Sequence, residues 1–185
     1  MMWYRNIRKL SVGFLSLPLF IVVLMFAILL DKGIQASTPQ PNAVTLNIKV
    51  THRAASGKMV WVGDRHYVAM GKREGKAVFS NGEIAVYDNT AYVDADLGNR
   101  SSTFQVYTRF SFEDGSTISV KGFAKGFRDE NNLPGAKGTG EIYHGTGRFN
   151  GIKGSVQFTN RQLQPTSKDP YRTAKIEAVM TYTLP

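Results

Sequence analysis

The 185 residues contain no cysteine. That excludes a disulfide framework, a cysteine zinc site and a thiol nucleophile. Acidic residues are scarce, 14 Asp+Glu against 23 Lys+Arg, for a formal net charge of +9. Histidine occurs three times, at His52, His66 and His144, too far apart in the chain to show metal-ligand spacing. No metal site and no cofactor are therefore expected. After residue 42 no segment sustains a 3.6-residue hydrophobic period, which argues against a helical fold. The glycine run from Gly135 to Gly154 lacks the Gly-Lys-Ser/Thr ending and the helix that a phosphate loop requires, since Lys153-Gly154-Ser155 has the wrong order. The basic residues, among them Lys49, Arg53, Lys72, Arg73, Lys121, Arg148 and Lys175, are scattered and not interleaved with stacking aromatics. They read as a solvated basic surface, and no nucleic-acid partner is expected. No catalytic constellation is legible, so no catalytic residue is assigned.

The first forty residues form a separate object. Leu10 to Leu30 carries no charge and follows Arg5, Arg8 and Lys9. As a helix this stretch would reach roughly 30 Å, the thickness of a bilayer's hydrocarbon core. The basic cluster stays cytoplasmic and directs the remainder outward. Two readings stay open for residues 1–36. One is a secretory signal peptide cut near Ala36-Ser37; the other is an uncleaved transmembrane anchor. Both place the rest of the chain outside the cytoplasm: secreted, periplasmic, or tethered to the membrane through residues 10–30. Four of the basic residues and one acid lie in residues 1–36, so the remainder keeps 19 against 13, a charge of +6.

Residues 37–42 (Ser-Thr-Pro-Gln-Pro-Asn) read as a linker, and residues 43–185 as antiparallel strands. Val44, Leu46, Ile48 and Val50 alternate with polar residues, as do Ala174, Ile176, Ala178, Met180 and Tyr182 near the end. Phe104 to Phe112, the turn Glu113-Asp114-Gly115-Ser116 and Thr117 to Phe123 give the strongest hairpin signal. Further strands are expected over 60–70, 77–79, 83–94, 140–149 and 154–163, with 128–139 a mobile loop. About eight strands at this spacing suit a closed antiparallel eight-stranded barrel, all-β, preceded by one N-terminal hydrophobic helix.

Two segments resemble the barrels of the allene oxide cyclase kind. One is Gly145-Thr146-Gly147-Arg148-Phe149-Asn150-Gly151-Ile152-Lys153-Gly154; the other is the hairpin Phe110-Ser111-Phe112-Glu113-Asp114-Gly115-Ser116-Thr117-Ile118. A terminal Tyr182-Thr183-Leu184 agrees in order and spacing. The likeness is best over 102–185. It implies an eight-stranded barrel related in shape to dirigent and lipocalin-like barrels, a cavity for an apolar small molecule, and commonly a homo-oligomer. It also implies an intramolecular isomerase or cyclase that needs no metal and works by folding an unsaturated substrate. The plant enzymes carry acidic residues on their first strand and a cysteine in the barrel. Ser37 to Gly63 holds no Asp or Glu and the chain no cysteine, so no catalytic residue is carried over.

The aromatic residues are the candidate site. In a hollow barrel Trp61, Tyr87, Phe110, Phe112 and Tyr182 would line a ligand cavity; in a solid one they would be core. His144 would join them if it shares Ile142's inward face. His66 follows Asp64 and Arg65, so it is either a His–carboxylate pair or a surface turn residue. A filled interior implies a structural module, and a purely apolar open cavity implies a carrier. An ionisable group facing the cavity, or an ordered polar relay, implies an enzyme.

Overall fold

The computed structural model describes residues 42–185; the hydrophobic segment at 10–30, and the leader and linker expectations up to residue 41, lie outside the described residues. Eight strands follow one another as a meander: β1 Val44–Gly63, β2 His66–Phe79, β3 Ile84–Asp96, β4 Ser101–Phe112, β5 Thr117–Arg128, β6 Pro134–Thr146, β7 Lys153–Gln162 and β8 Ala174–Thr183. Each pairs antiparallel with the next. β8 returns to β1 from Val44↔Tyr182 to His52↔Ala174, closing the barrel as expected. Closure removes the sheet edges that an open meander would expose.

Several sequence expectations need correction. Residues 60–70 are not one strand: the chain reverses at Asp64-Arg65, joining two long strands, and 77–79 is the end of the second. Nor is 128–139 a loop. Asp129 to Leu133 makes a tight turn, in which the Asp129 carboxylate accepts from the Asn131 and Leu133 N–H groups at 3.0 and 2.8 Å. β6 already begins at Pro134. The expected strand 140–149 ends at Thr146, and Gly147–Phe149 forms a single 3-10 turn.

The meander sends the β2–β3, β4–β5 and β6–β7 connections to one end, and that end is plugged. The Gly147–Phe149 turn, with Gly147 at φ +61° and Gly151 at φ +76°, drops Phe149 and Ile152 into the bore. Glycine adopts those angles without the steric cost that a Cβ brings. Phe149 lies 5.0 Å from Phe112 and 6.4 Å from Tyr182, and Phe112 lies 5.3 Å from Phe79. Arg148 caps this cluster from outside. Its guanidinium sits 4.9 Å from the Phe112 ring and 4.7 Å from the Phe149 ring, and it is paired with Glu83 and, at 3.4 Å, with Asp114. The segment that resembles allene oxide cyclase barrels therefore folds as a stopper.

Phe149 is buried against two aromatic rings, so Phe149→Ala opens a void at the closed end. Urea denaturation followed by far-UV circular dichroism is expected to show a loss of about 3–5 kcal/mol.

Candidate functional site

Above the plug the inward side chains shrink. Toward the plug the bore is filled by residues such as Ile48, Phe79, Tyr87, Phe110, Ile118 and Met180. Toward the other end the strands turn in Gly71, Ala91, Val106 and Ala124. Side chains this small do not fill the bore of an eight-stranded barrel. A cavity of about 1240 Å³ results, floored by Tyr87 and Phe110 and open at the end of the β1–β2, β3–β4, β5–β6 and β7–β8 connections.

The floor is polar on one side. In register across the sheet stand His52 of β1, Gly75 of β2, Tyr87 of β3 and Phe110 of β4. A Cβ on Gly75 would run into the Thr51 carbonyl oxygen and the His52 backbone. The missing side chain leaves a gap across which the His52 and Tyr87 rings stack, 5.6 Å apart and 30° from parallel. His52 Nε2 donates to the Asn160 Oδ1 over β8 at 3.0 Å, and Nδ1 has no partner among the described residues. That assignment leaves the Nδ1 lone pair free. Burial, with the nearby positive charge of Arg73, pushes the His52 pKa down to about 4 against a weaker opposing pull from Asn160. Burial likewise pushes the Tyr87 hydroxyl up to about 12, opposed by Arg73 and Thr108, so Tyr87 is a proton-bearing donor.

One register step toward the mouth stand Ala54, Arg73, Asn89 and Thr108. Asn89 is buried and donates to Thr108 Oγ1 at 2.8 Å. Arg73 belongs to the inward face of β2, in phase with Gly71, Gly75, Ala77 and Phe79, and lines the cavity. Burial lowers its pKa; an arginine remains charged even so.

Of the residues singled out in the sequence, Tyr87 and Phe110 make the floor and Trp61 stands at the rim, half exposed and edge-on to Tyr67 at 5.5 Å. Phe112 and Tyr182 point into the bore but belong to the plug beneath the cavity. His144 lies outside the barrel. The register pairs Ser119 with His144 and Val120 with Ile142, so Tyr143 is an extra residue and a β-bulge shifts the alternation. Ile142 is buried and His144 exposed. His66 does pair with a carboxylate, but with Asp94 across β2–β3 at 2.7 Å instead of Asp64. Sequence reasoning missed Arg73, Asn89, Asn160 and the role of His52. The signal was present in the alternation: His52 continues the face of Ile48 and Val50, and Arg73 continues that of Ala77 and Phe79.

No protein-family model matches this sequence, and no curated protein matches it. Among solved structures the chain is similar to the pterocarpan synthase dirigent protein GePTS1, with a TM-score of 0.43 and 15% identity over 82% of this chain and 97% of that one.

The His52 shift has a definite sign. Its folded pKa lies below the ordinary value of 6.5, so protonation favours the unfolded chain. Stability from this group is complete above about pH 6.5, falls by up to about 3 kcal/mol as pH drops toward 4, and is lost below that. The hydrogen-bonded carboxylates of Asp96, Asp114 and Asp169, all held below the usual range, act at more acid pH. Thermal melting at pH 7.5 and 4.5 is expected to show a smaller pH dependence in His52→Phe than in the wild type.

Proposed function

We propose that this chain is a small-molecule-binding barrel that works outside the cytoplasm, exported or tethered through residues 10–30, with its ligand in the open half of the bore. The observation that carries the reading is the contrast between the two ends: one stoppered by packed aromatics, the other an open, mostly apolar cavity of about 1240 Å³. Such a volume suits a ligand of drug-like size or larger, most of whose surface would be buried. The charge-free run behind a basic cluster supports export.

A second reading, an isomerase or cyclase of the allene oxide cyclase kind, draws support from Tyr87, His52 and Arg73 gathered beside apolar space. That polar cluster is more than a plain carrier requires. Confinement would fold an unsaturated substrate toward reaction, and Tyr87 would supply a donor hydrogen bond. The one carboxylate lining the cavity among the described residues, Asp96, is held in its own turn by the N–H groups of Gly98 and Asn99 at 2.7 and 3.0 Å.

Self-association also belongs to this proposal. Val60, Val68, Met70, Tyr92 and Phe123 are exposed apolar side chains gathered in one outer depression. Sizing of the full chain with Phe123→Lys is expected to show a smaller particle than the wild type; an unchanged size removes this face from the proposal.

Ala91 is a buried cavity-facing residue opposite Gly71 and Val106. Ala91→Trp is expected to fill the space with little change in melting temperature. Binding of an environment-sensitive apolar dye to the full chain should then fall by about tenfold or more, following the lost apolar burial. Unchanged dye binding with a folded variant would refute the cavity as the site.

A further inference from the structure

Arg73 is a half-buried charge that lines the cavity without a counter-charge among the described residues. Its register neighbours are Ala54 and Asn89, and it forms no salt bridge among the described residues, whose ion pairs involve Arg53, His66, Arg109 and Arg148. The other charged group bearing on it is Arg172, also positive, with the neutral ring of Tyr87 beneath. A charge withdrawn from water is costly unless paired. The rest of the cavity does not supply the pair. Lys58, Lys72, Arg100, Arg128 and Arg172 line it as well, against the single carboxylate of Asp96, whose oxygens are taken by its own turn and by the Asn99 side chain at 2.6 Å. The cavity is a cup of positive potential with apolar walls.

The position of Arg73 fixes an orientation. Below it lies the aromatic floor of Tyr87 and Phe110; above it, toward the mouth, the walls are Gly71, Ala91, Val106 and Ala124. A ligand whose charge sat at the rim would leave Arg73 unpaired. We infer that the ligand is an amphipathic organic anion that enters head-first, its anionic group on Arg73 and its apolar chain extending past Ala91, Val106 and Ala124 to the mouth. This rests on the proposal that the cavity is the ligand site and adds the ligand's chemical class and direction.

The test is equilibrium dialysis of the full chain in dodecyl maltoside with radiolabelled decanoate and decanol, which share one chain length and differ in charge. Wild type is expected to bind decanoate about tenfold or more tightly than decanol. Arg73→Gln should lose about tenfold or more of the decanoate affinity while decanol binding stays within about twofold. Arg73→Lys keeps the charge and should keep the preference for decanoate, which covers the case in which Arg73→Gln fails to fold. Arg100→Gln, at the rim, should change decanoate binding by less than about threefold, as expected for an exposed charge. Decanol binding as tightly as decanoate, or a folded Arg73→Gln binding decanoate like the wild type, overturns the inference and leaves the cavity reading intact. A wild type that binds neither probe overturns both.

Discussion

An eight-stranded ring has a bore set by strand number and tilt, and the inward side chains decide whether it is solid or hollow. In this chain that decision changes along the axis. Ile48, Phe79, Phe110, Phe112, Met180 and Phe149 make one half solid. Gly71, Ala91, Val106 and Ala124 leave the other half empty. The aromatic half supplies most of the apolar burial and holds the barrel in register. The open half gives up burial, and it is there that polar and charged groups gather. Stability and ligand capacity are thus separated along a single axis, with Tyr87 and Phe110 at the boundary.

At that boundary the sheet does something unusual for a core. Gly75, bare of side chain, lets His52 and Tyr87 stack across it, and Asn160 of β7, two strands away on the other side, holds His52. Burial keeps His52 neutral and Tyr87 protonated. Arg73, one step above, stays charged with no salt-bridge partner among the described residues. On the proposed reading, this array of a donor, a free lone pair and an unbalanced cation is completed by the ligand. Polar groups of this kind are tolerated in an interior when another molecule completes them.

The architecture was legible because period-two alternation is strong in Val44–Val50, Phe104–Phe112 and Ala174–Tyr182 and no helical period competes. The plug was legible only as a likeness in Gly145–Gly154; nothing in its composition says that it folds back into the bore. The 128–139 error has a physical origin. Gly135 and Gly138 looked like loop residues, yet they sit in a strand. At Gly138 a Cβ would meet the backbone of Phe123 and Ala124, so glycine there marks close strand approach. The same reading hid the site. Taking 60–70 and 77–79 as separate strands left Arg73 outside any alternation, and it passed for one more surface cation. His144 was misplaced because a single bulge at Tyr143 reverses facing, and alternation alone does not register an inserted residue.

The claim beneath all of this is that the upper bore is hollow and reached from the mouth. The most direct measurement is a crystal of the protein grown with 11-bromoundecanoate, reading the bromine position from its anomalous signal. The account places bromine inside the barrel, among Ala91, Val106, Ala124 and the rim above them. A signal confined to the outer face near Tyr92 and Phe123, or an upper bore closed by its own side chains, would contradict it.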